Sequence, residues 1–258
     1  MQLKNSTVLI TGGSNGIGLE FAKQLMQQGA TVIITGRDMA KLQKTRQQFP
    51  YLHVIQSNVN NPKDIEEMYE IVTRQFPHLK IIINNAGIMR TVKLMDDSVT
   101  IENVTDEIET NFSGTVRMIH QFLPHLMQQQ SAAIINITSG LAFIPFTISP
   151  LYCGTKAAVH VYSQALRLQL KNSSVKVFEV APPKTDNPLQ TAFVEQENDG
   201  RTMKVSDLVA ASIKGILKDQ YEIRPGLANV MKWMSRIAPG FFTKMINRNL
   251  EKRLNKQH

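Results

Sequence analysis

Thr7-Val8-Leu9-Ile10-Thr11-Gly12-Gly13-Ser14-Asn15-Gly16-Ile17-Gly18 is an apolar, β-branched run that empties into a glycine cluster. Ile17, Phe21 and Leu25 then recur at helical spacing, and Gly29 stands where a helix C-cap would. Strand, glycine turn and helix in that order form a unit with one recognisable use. Glycines at 12, 16 and 18 let the backbone turn sharply, approach a pyrophosphate and pack the helix on the sheet. The first helical turn then offers N–H groups and the positive end of a dipole to the anion. Gly12, Ser14, Asn15, Gly16, Ile17 and Gly18 are therefore candidate cofactor-binding residues.

Downstream, the alternation of short apolar runs and longer helical patterns continues. Thr31–Thr35, His53–Gln56, Lys80–Asn84, Ala133–Thr138 and Val175–Val180 read as strands, with Tyr221–Arg224 as a short last one. Asp38 to Gln48, Pro62–Gln75, Thr115–Gln128 and Tyr152–Leu170 read as helices, and Ser206-Asp207 reads as the cap of another that runs to about Lys218. The strands are apolar on both faces, as strands covered on both sides must be. The expected fold is α/β, a doubly wound parallel (Rossmann) sheet. Residues 1–225 read as one catalytic domain in which 184–205 forms a loop over the sheet, and 226–258 as a basic amphipathic C-terminal extension.

Composition narrows the classes. The chain has 258 residues, 42% hydrophobic and 19% charged, within reach of one α/β domain and unlike a disordered chain. No apolar run approaches the roughly 20 residues of a spanning helix, and no leader pattern opens the chain, so a cytoplasmic protein is expected. Cys153 is the single cysteine, which excludes an intramolecular disulfide and a cysteine-based zinc site, and the six histidines lack metal-ligand spacing. From Ala228 onward seven cations face Glu251 alone, a surplus of six out of the chain's +8. The near-neutral body argues against nucleic-acid binding.

About 20 residues beyond the glycine loop, where an NAD enzyme carries a carboxylate for the ribose 2′-OH, stand Gly36 and Arg37. A guanidinium binds a 2′-phosphate that a carboxylate would repel, so NADP(H) is favoured over NAD(H).

With these residues the chain resembles the short-chain dehydrogenase/reductase family, from about Thr7 to Asn187. The motifs keep order and spacing: the glycine loop, Asn84-Asn85-Ala86-Gly87 after the fourth strand, Asn111 in the next helix, Ser139 at the end of the fifth strand, and Tyr152-Cys153-Gly154-Thr155-Lys156. Ser139 to Phe143 and Ala181-Pro182-Pro183 are similar to the DltE-like branch. The resemblance implies an oxidoreductase that interconverts a carbonyl and a secondary alcohol, with Ser139 on the substrate oxygen and Tyr152 as general acid/base. It gives Lys156 the nicotinamide ribose and Asn111 a relay water. It adds Asn58, Val59, Asn85, Ala86, Gly87, Pro182 and Thr185 to the cofactor site, and Leu141 to Leu151 to a largely apolar substrate cleft. It also implies a homodimer or homotetramer built on the helices at Thr115–Gln128 and Tyr152–Leu170. Two positions depart from the family. Asn58 replaces the usual Asp at the adenine, and Pro183 replaces a glycine, removing a backbone donor just before Thr185 and Asn187.

Tyr152 and Lys156 stand four apart and share a helix face. An ammonium about 4 Å from the phenol is worth about 4 kcal/mol at an effective dielectric of about 20, enough to bring a phenol from about 10 towards neutrality. Cys153 and His160 read as packing residues. In the tail, Met231, Trp233, Met234, Ile237, Phe241, Phe242, Met245, Ile246 and Leu250 interleave with cations, and Pro239-Gly240 divides two short helices. They either pack over the cleft or a subunit interface, or make a peripheral membrane contact. Two further readings stay open: a nucleotide-binding redox sensor without turnover, and a membrane-surface scaffold that uses the tail.

Overall fold

The computed structural model describes residues 3–92, 94, 99–187 and 202–254. Most of the expected substrate loop, 188–201, lies outside them. The strands are β1 (Thr7–Thr11), β2 (Thr31–Gly36), β3 (His53–Gln56), β4 (Leu79–Asn84), β5 (Ala132–Ile137), β6 (Val175–Val180) and β7 (Glu222–Ile223). All pair in parallel, in the order β3-β2-β1-β4-β5-β6-β7. The chain builds outward from β1 to β3 and then returns to lay β4 on the other side of β1. That reversal opens a crevice at the carboxyl ends of β1 and β4.

Both faces of the sheet are buried, and successive residues alternate between them. Val8, Ile10, Ile81, Ile83, Ala133 and Ile135 face one layer, with Phe21 and Leu25 of α1 (Gly16–Gln27) and Leu208, Ile213 and Ile216 of α7 (Val205–Leu217). Leu9, Ile33, Ile82 and Ile134 face the other. There they meet Ile65, Met68 and Val72 of α3 (Pro62–Gln75), Phe122 of α5 (Gly114–Met127) and Leu166 of α6 (Pro150–Gln169).

Local chemistry fixes the helix ends. Asp38 accepts from the Lys41 N–H ahead of α2 (Met39–Gln48), and Asn61 from the Lys63 N–H ahead of α3 with Pro62 following. Gly29 ends α1 at φ +81°, as its position predicts. The expected Ser206-Asp207 cap is corrected. Lys204 is the N-cap residue of α7, and the carboxylate of Asp186, far away in the chain, accepts from the Val205 N–H at 2.7 Å. The helix at Asn111 is also longer than expected. α4 (Ile101–Ile108) runs through a π-helical turn at Glu109–Ser113 into α5.

The tail forms α8 (Leu227–Ile237) and α9 (Pro239–Leu254), divided at Pro239 as expected. Among the described residues no helix is long and apolar enough to cross a membrane. α8 is tied to the body by Glu222 of β7, whose carboxylate takes hydrogen bonds from Lys232, Arg224 and the Gln164 amide. The carboxyl is partly buried, but these donors and their charges outweigh burial and hold it at about 2. A carboxylate depressed below its unfolded value stabilises the fold above about pH 4.5, and the contribution fades as pH falls towards 2. Glu222→Gln should therefore melt below wild type at pH 7, and the gap between their Tm values should close on acidification through that window. A gap independent of pH would show that the ion pairs contribute nothing.

Candidate active site

The crevice floor is built from the loops after β1 and β4. The Thr11 hydroxyl accepts from the backbone N–H groups of both Asn85 and Ala86 at 3.0 Å. In return the Asn85 amide donates to Thr11 O at 3.0 Å and Gly12 O at 2.9 Å. Gly12 takes φ +65°, and a Cβ there would fall 2.9 Å from the Ala86 backbone. Gly18 packs so closely that a Cβ would meet the Asn85 amide at 2.5 Å. At Gly16, φ +52°, a Cβ would project across the crevice to within 2.6 Å of Asn187. Asn15 precedes α1 without a side-chain cap, and its first turn carries no acidic residue, so its N–H groups and dipole suit an anion.

The resulting crevice, about 290 Å³, is lined by Gly12, Asn15, Gly16, Ile17, Asn85, Ala86, Gly87, Ser139, Tyr152, Lys156, Pro182 and Thr185 among the expected residues, and by Asn187. Thr185 and Asn187 thus reach it despite Pro183. Its glycine cradle and bare helix terminus fit a dinucleotide pyrophosphate. Arg37 is exposed just beyond β2, and the Gly13 N–H donates to Thr35 O at 3.1 Å, which sets the guanidinium's strand beside the glycine loop. Asn58 is partly spent: its Oδ1 closes a turn on the Asn60 N–H at 3.1 Å, leaving a second lone pair for an adenine donor. Val59 is buried and packs against Gly114, so its side chain props the turn. Ser14 and Gly18 belong to the loop without lining the cavity.

The mouth of the crevice carries Ser139, Tyr152 and Lys156, all at least 95% buried. Ser139, expected to end the fifth strand, lies two residues past β5 and caps a 3-10 turn at Gly140–Ala142 by accepting from the Leu141 N–H at 3.1 Å, and Pro150 at the start of α6 places Tyr152 in the first turn. Lys156 lies one turn on. Its Nζ donates to Ile137 O at 2.9 Å and sits 5.7 Å from the Tyr152 ring centroid. The ammonium thus lies against the ring with one of its three N–H groups given to a carbonyl. Burial works against the expected fall of the phenol towards neutrality. Burial pushes Tyr152 up to about 12, against an opposing hydrogen bond with Ser139, and burial pushes Lys156 down to about 8.

Asn111, in the π-helical turn, holds the opposite wall. Its Oδ1 accepts from the Ile88 N–H at 2.8 Å, and its amide donates to Ile88 O at 2.9 Å and Thr155 Oγ1 at 3.1 Å. Both amide hydrogens are committed, so a relay water held by Asn111 would donate to the remaining Oδ1 lone pair or to the backbone carbonyl.

A second cleft, about 170 Å³ and mostly apolar, adjoins the first. Met89, Leu141, Phe146, Ile148 and Pro183 line it, with Met231 from α8. Ser139 and Pro182 border both clefts. Phe143, expected in this wall, instead meets the His160 ring edge-on at 5.0 Å and lies under the Lys232 ammonium. Asn247 of α9 clamps the same loop by accepting from the Thr147 N–H and donating to Pro145 O.

Several contributors have no sequence signature. Glu179 of β6 is buried beside β5, accepting from Thr138 Oγ1 and pairing with His160 Nδ1, both at 2.7 Å. His160 thus anchors α6 to β6, not merely packing in a helix interface. Glu107 is wholly buried. One of its oxygens accepts from the Arg90 N–H and the other has no hydrogen-bond partner among the described residues, and burial raises its pKa. Burial likewise pushes the Cys153 thiol up to about 11, which makes it a packing residue.

A parallel sheet with a glycine cradle at its switch point and a Ser–Tyr–Lys group at the crevice mouth is the architecture of a nucleotide-dependent oxidoreductase. The chain belongs to the short chain dehydrogenase family, whose family model matches residues 6–198. It is 42% identical over 221 residues to the uncharacterized oxidoreductase DltE of Bacillus subtilis (strain 168), covering 86% of this chain and 83% of that protein. Its fold is similar to that of a short chain dehydrogenase from Burkholderia cenocepacia J2315 solved with NADP (TM-score 0.80, 22% identity, 92% of this chain and 95% of that one). It is similar also to one from Burkholderia phymatum solved with NAD (TM-score 0.79, 17% identity, 90% and 93%).

Because one hydroxyl satisfies two half-buried N–H groups, Thr11→Val should cost about 1–3 kcal/mol of stability while preserving shape. Denaturant titration checks this. A variant as stable as wild type would show that the clamp is dispensable.

Proposed function

We propose that this protein is an NADP(H)-dependent oxidoreductase that interconverts a carbonyl compound and a secondary alcohol. The observation that carries the reading is the meeting of the polar crevice and the apolar cleft at Ser139, beside Tyr152. A nicotinamide bound in the crevice would supply or accept the hydride. The chain's own residues handle the proton. Burial keeps the Tyr152 phenol un-ionised, so in reduction it is a proton donor at Oη, while the Ser139 hydroxyl donates a hydrogen bond to the same substrate oxygen. The Lys156 ammonium, held over the ring, stabilises the phenolate that proton loss leaves. Asn111 positions the wall at Ile88. Arg37 supports NADP(H) over NAD(H). The apolar cleft supports an apolar or amphipathic small-molecule carbonyl. Val161 and Leu168, 62% and 71% exposed on α6, support self-association through that helix. The lone buried thiol fits a cytoplasmic enzyme.

A carbonyl panel with NADPH tests the reading. Wild type should turn over and Tyr152→Phe should lose at least about 100-fold while still binding NADPH. Undiminished turnover in the variant would contradict the assignment, and binding without turnover by wild type across the panel would favour a sensor. Arg37→Asp should weaken NADPH more than NADH; an equal loss would remove the 2′-phosphate argument. Lys156 is charged below about pH 8 and neutral above, so reduction should slow as pH rises through that value. Lys156→Arg, permanently charged, should lose this limb.

A further inference from the structure

The two tail helices turn their polarity inside out. Their inward face carries Lys232, ion-paired to Glu222, and Asn247, hydrogen-bonded to the 145–147 backbone, both buried. Outward on α8 stand Leu227, Val230, Trp233 and Ile237 at helical spacing, and beyond the non-helical Ala238 the exposed Phe241 and Met245 stand four apart on α9. Trp233, Ile237 and Phe241 are 61%, 76% and 65% exposed. Arg236, Lys244 and Arg248, also exposed, flank the stripe. An exposed apolar stripe on α8, followed by two exposed apolar residues of α9 and bordered by cations, marks a contact surface.

The geometry points to an anionic lipid surface as the occupant of this face. An amphipathic helix with Trp and Phe among cations seats its apolar side at the headgroup boundary, and each nearby cation adds attraction to anionic lipid. A second copy of the chain is the poorer match, because a two-fold contact would bring together two faces that each carry the exposed cations Arg236, Lys244 and Arg248. Exposed apolar residues suited to self-association lie elsewhere, on α6. The reverse side of α8 covers the apolar cleft: Met231 lines it, and a Cβ at Gly140 would meet the Met231 sulfur at 3.0 Å. Seating the tail on a bilayer thus sets the cleft directly behind the contact. The docking is independent of the proposed chemistry, and its readout is vesicle binding.

Trp233 is the chain's only tryptophan, so it reports its own insertion. Full-length protein mixed with phosphatidylglycerol-containing vesicles should pellet with them, and its emission should shift to the blue. Lys244→Glu/Arg248→Glu, confined to exposed positions, should lower the partition at least about 30-fold. Raising salt from about 0.01 M to 1 M should release the wild type, since screening shortens from about 30 Å to 3 Å. Unchanged emission and no pelleting would overturn the proposal. So would equal binding to phosphatidylcholine vesicles, or a wild-type dimer that ignores vesicles and that Trp233→Ser converts to monomer.

Discussion

The site depends on the tie between the ends of β1 and β4. These strands are neighbours in space but 68 residues apart in sequence, and nothing in their parallel pairing dictates how their loops diverge. Reciprocal hydrogen bonding of Thr11 and Asn85 fixes that divergence. Gly12 and Gly18 then fit against it because a methyl group at either would collide. Unsatisfied N–H groups at this depth would be costly, so the crevice is a consequence of backbone satisfaction as much as of function.

Burial sets the chemistry at the mouth. Desolvation opposes the charged forms alike, the phenolate and the ammonium, driving Tyr152 up and Lys156 down. The helix spacing that puts both on one face says nothing about depth or about where the ammonium is anchored. The Ile137 carbonyl holds Lys156 over the ring, and that contact is set by the register of β5 against α6, not by the four-residue interval.

The same distinction explains what was legible in the sequence. Strands buried on both faces announce themselves as apolar runs, and β1, β3 and β6 match their expected bounds. Glycine loop, Asn111, Ser139, Tyr152 and Lys156 carry a family's spacing. Partners chosen by tertiary contact leave no such trace. Asp186 caps α7 from 19 residues away, Glu179 binds both Thr138 and His160, and Glu107 is buried where its neighbours in sequence suggest an exposed helix. In the tail, periodicity reveals two amphipathic helices but not which face turns inward. The Glu222 carboxylate decides that by drawing Lys232 inside.

The account stands on one arrangement: a nucleotide lying along the β1/β4 crevice with its reactive end beside the Tyr152 hydroxyl. A crystal structure of the protein with NADP tests it most directly. The pyrophosphate should lie over the Gly12–Gly16 turn and the nicotinamide should face Tyr152 and Ser139 across the opening to the apolar cleft. A nucleotide bound elsewhere, or a nicotinamide end turned away from that hydroxyl, would contradict it.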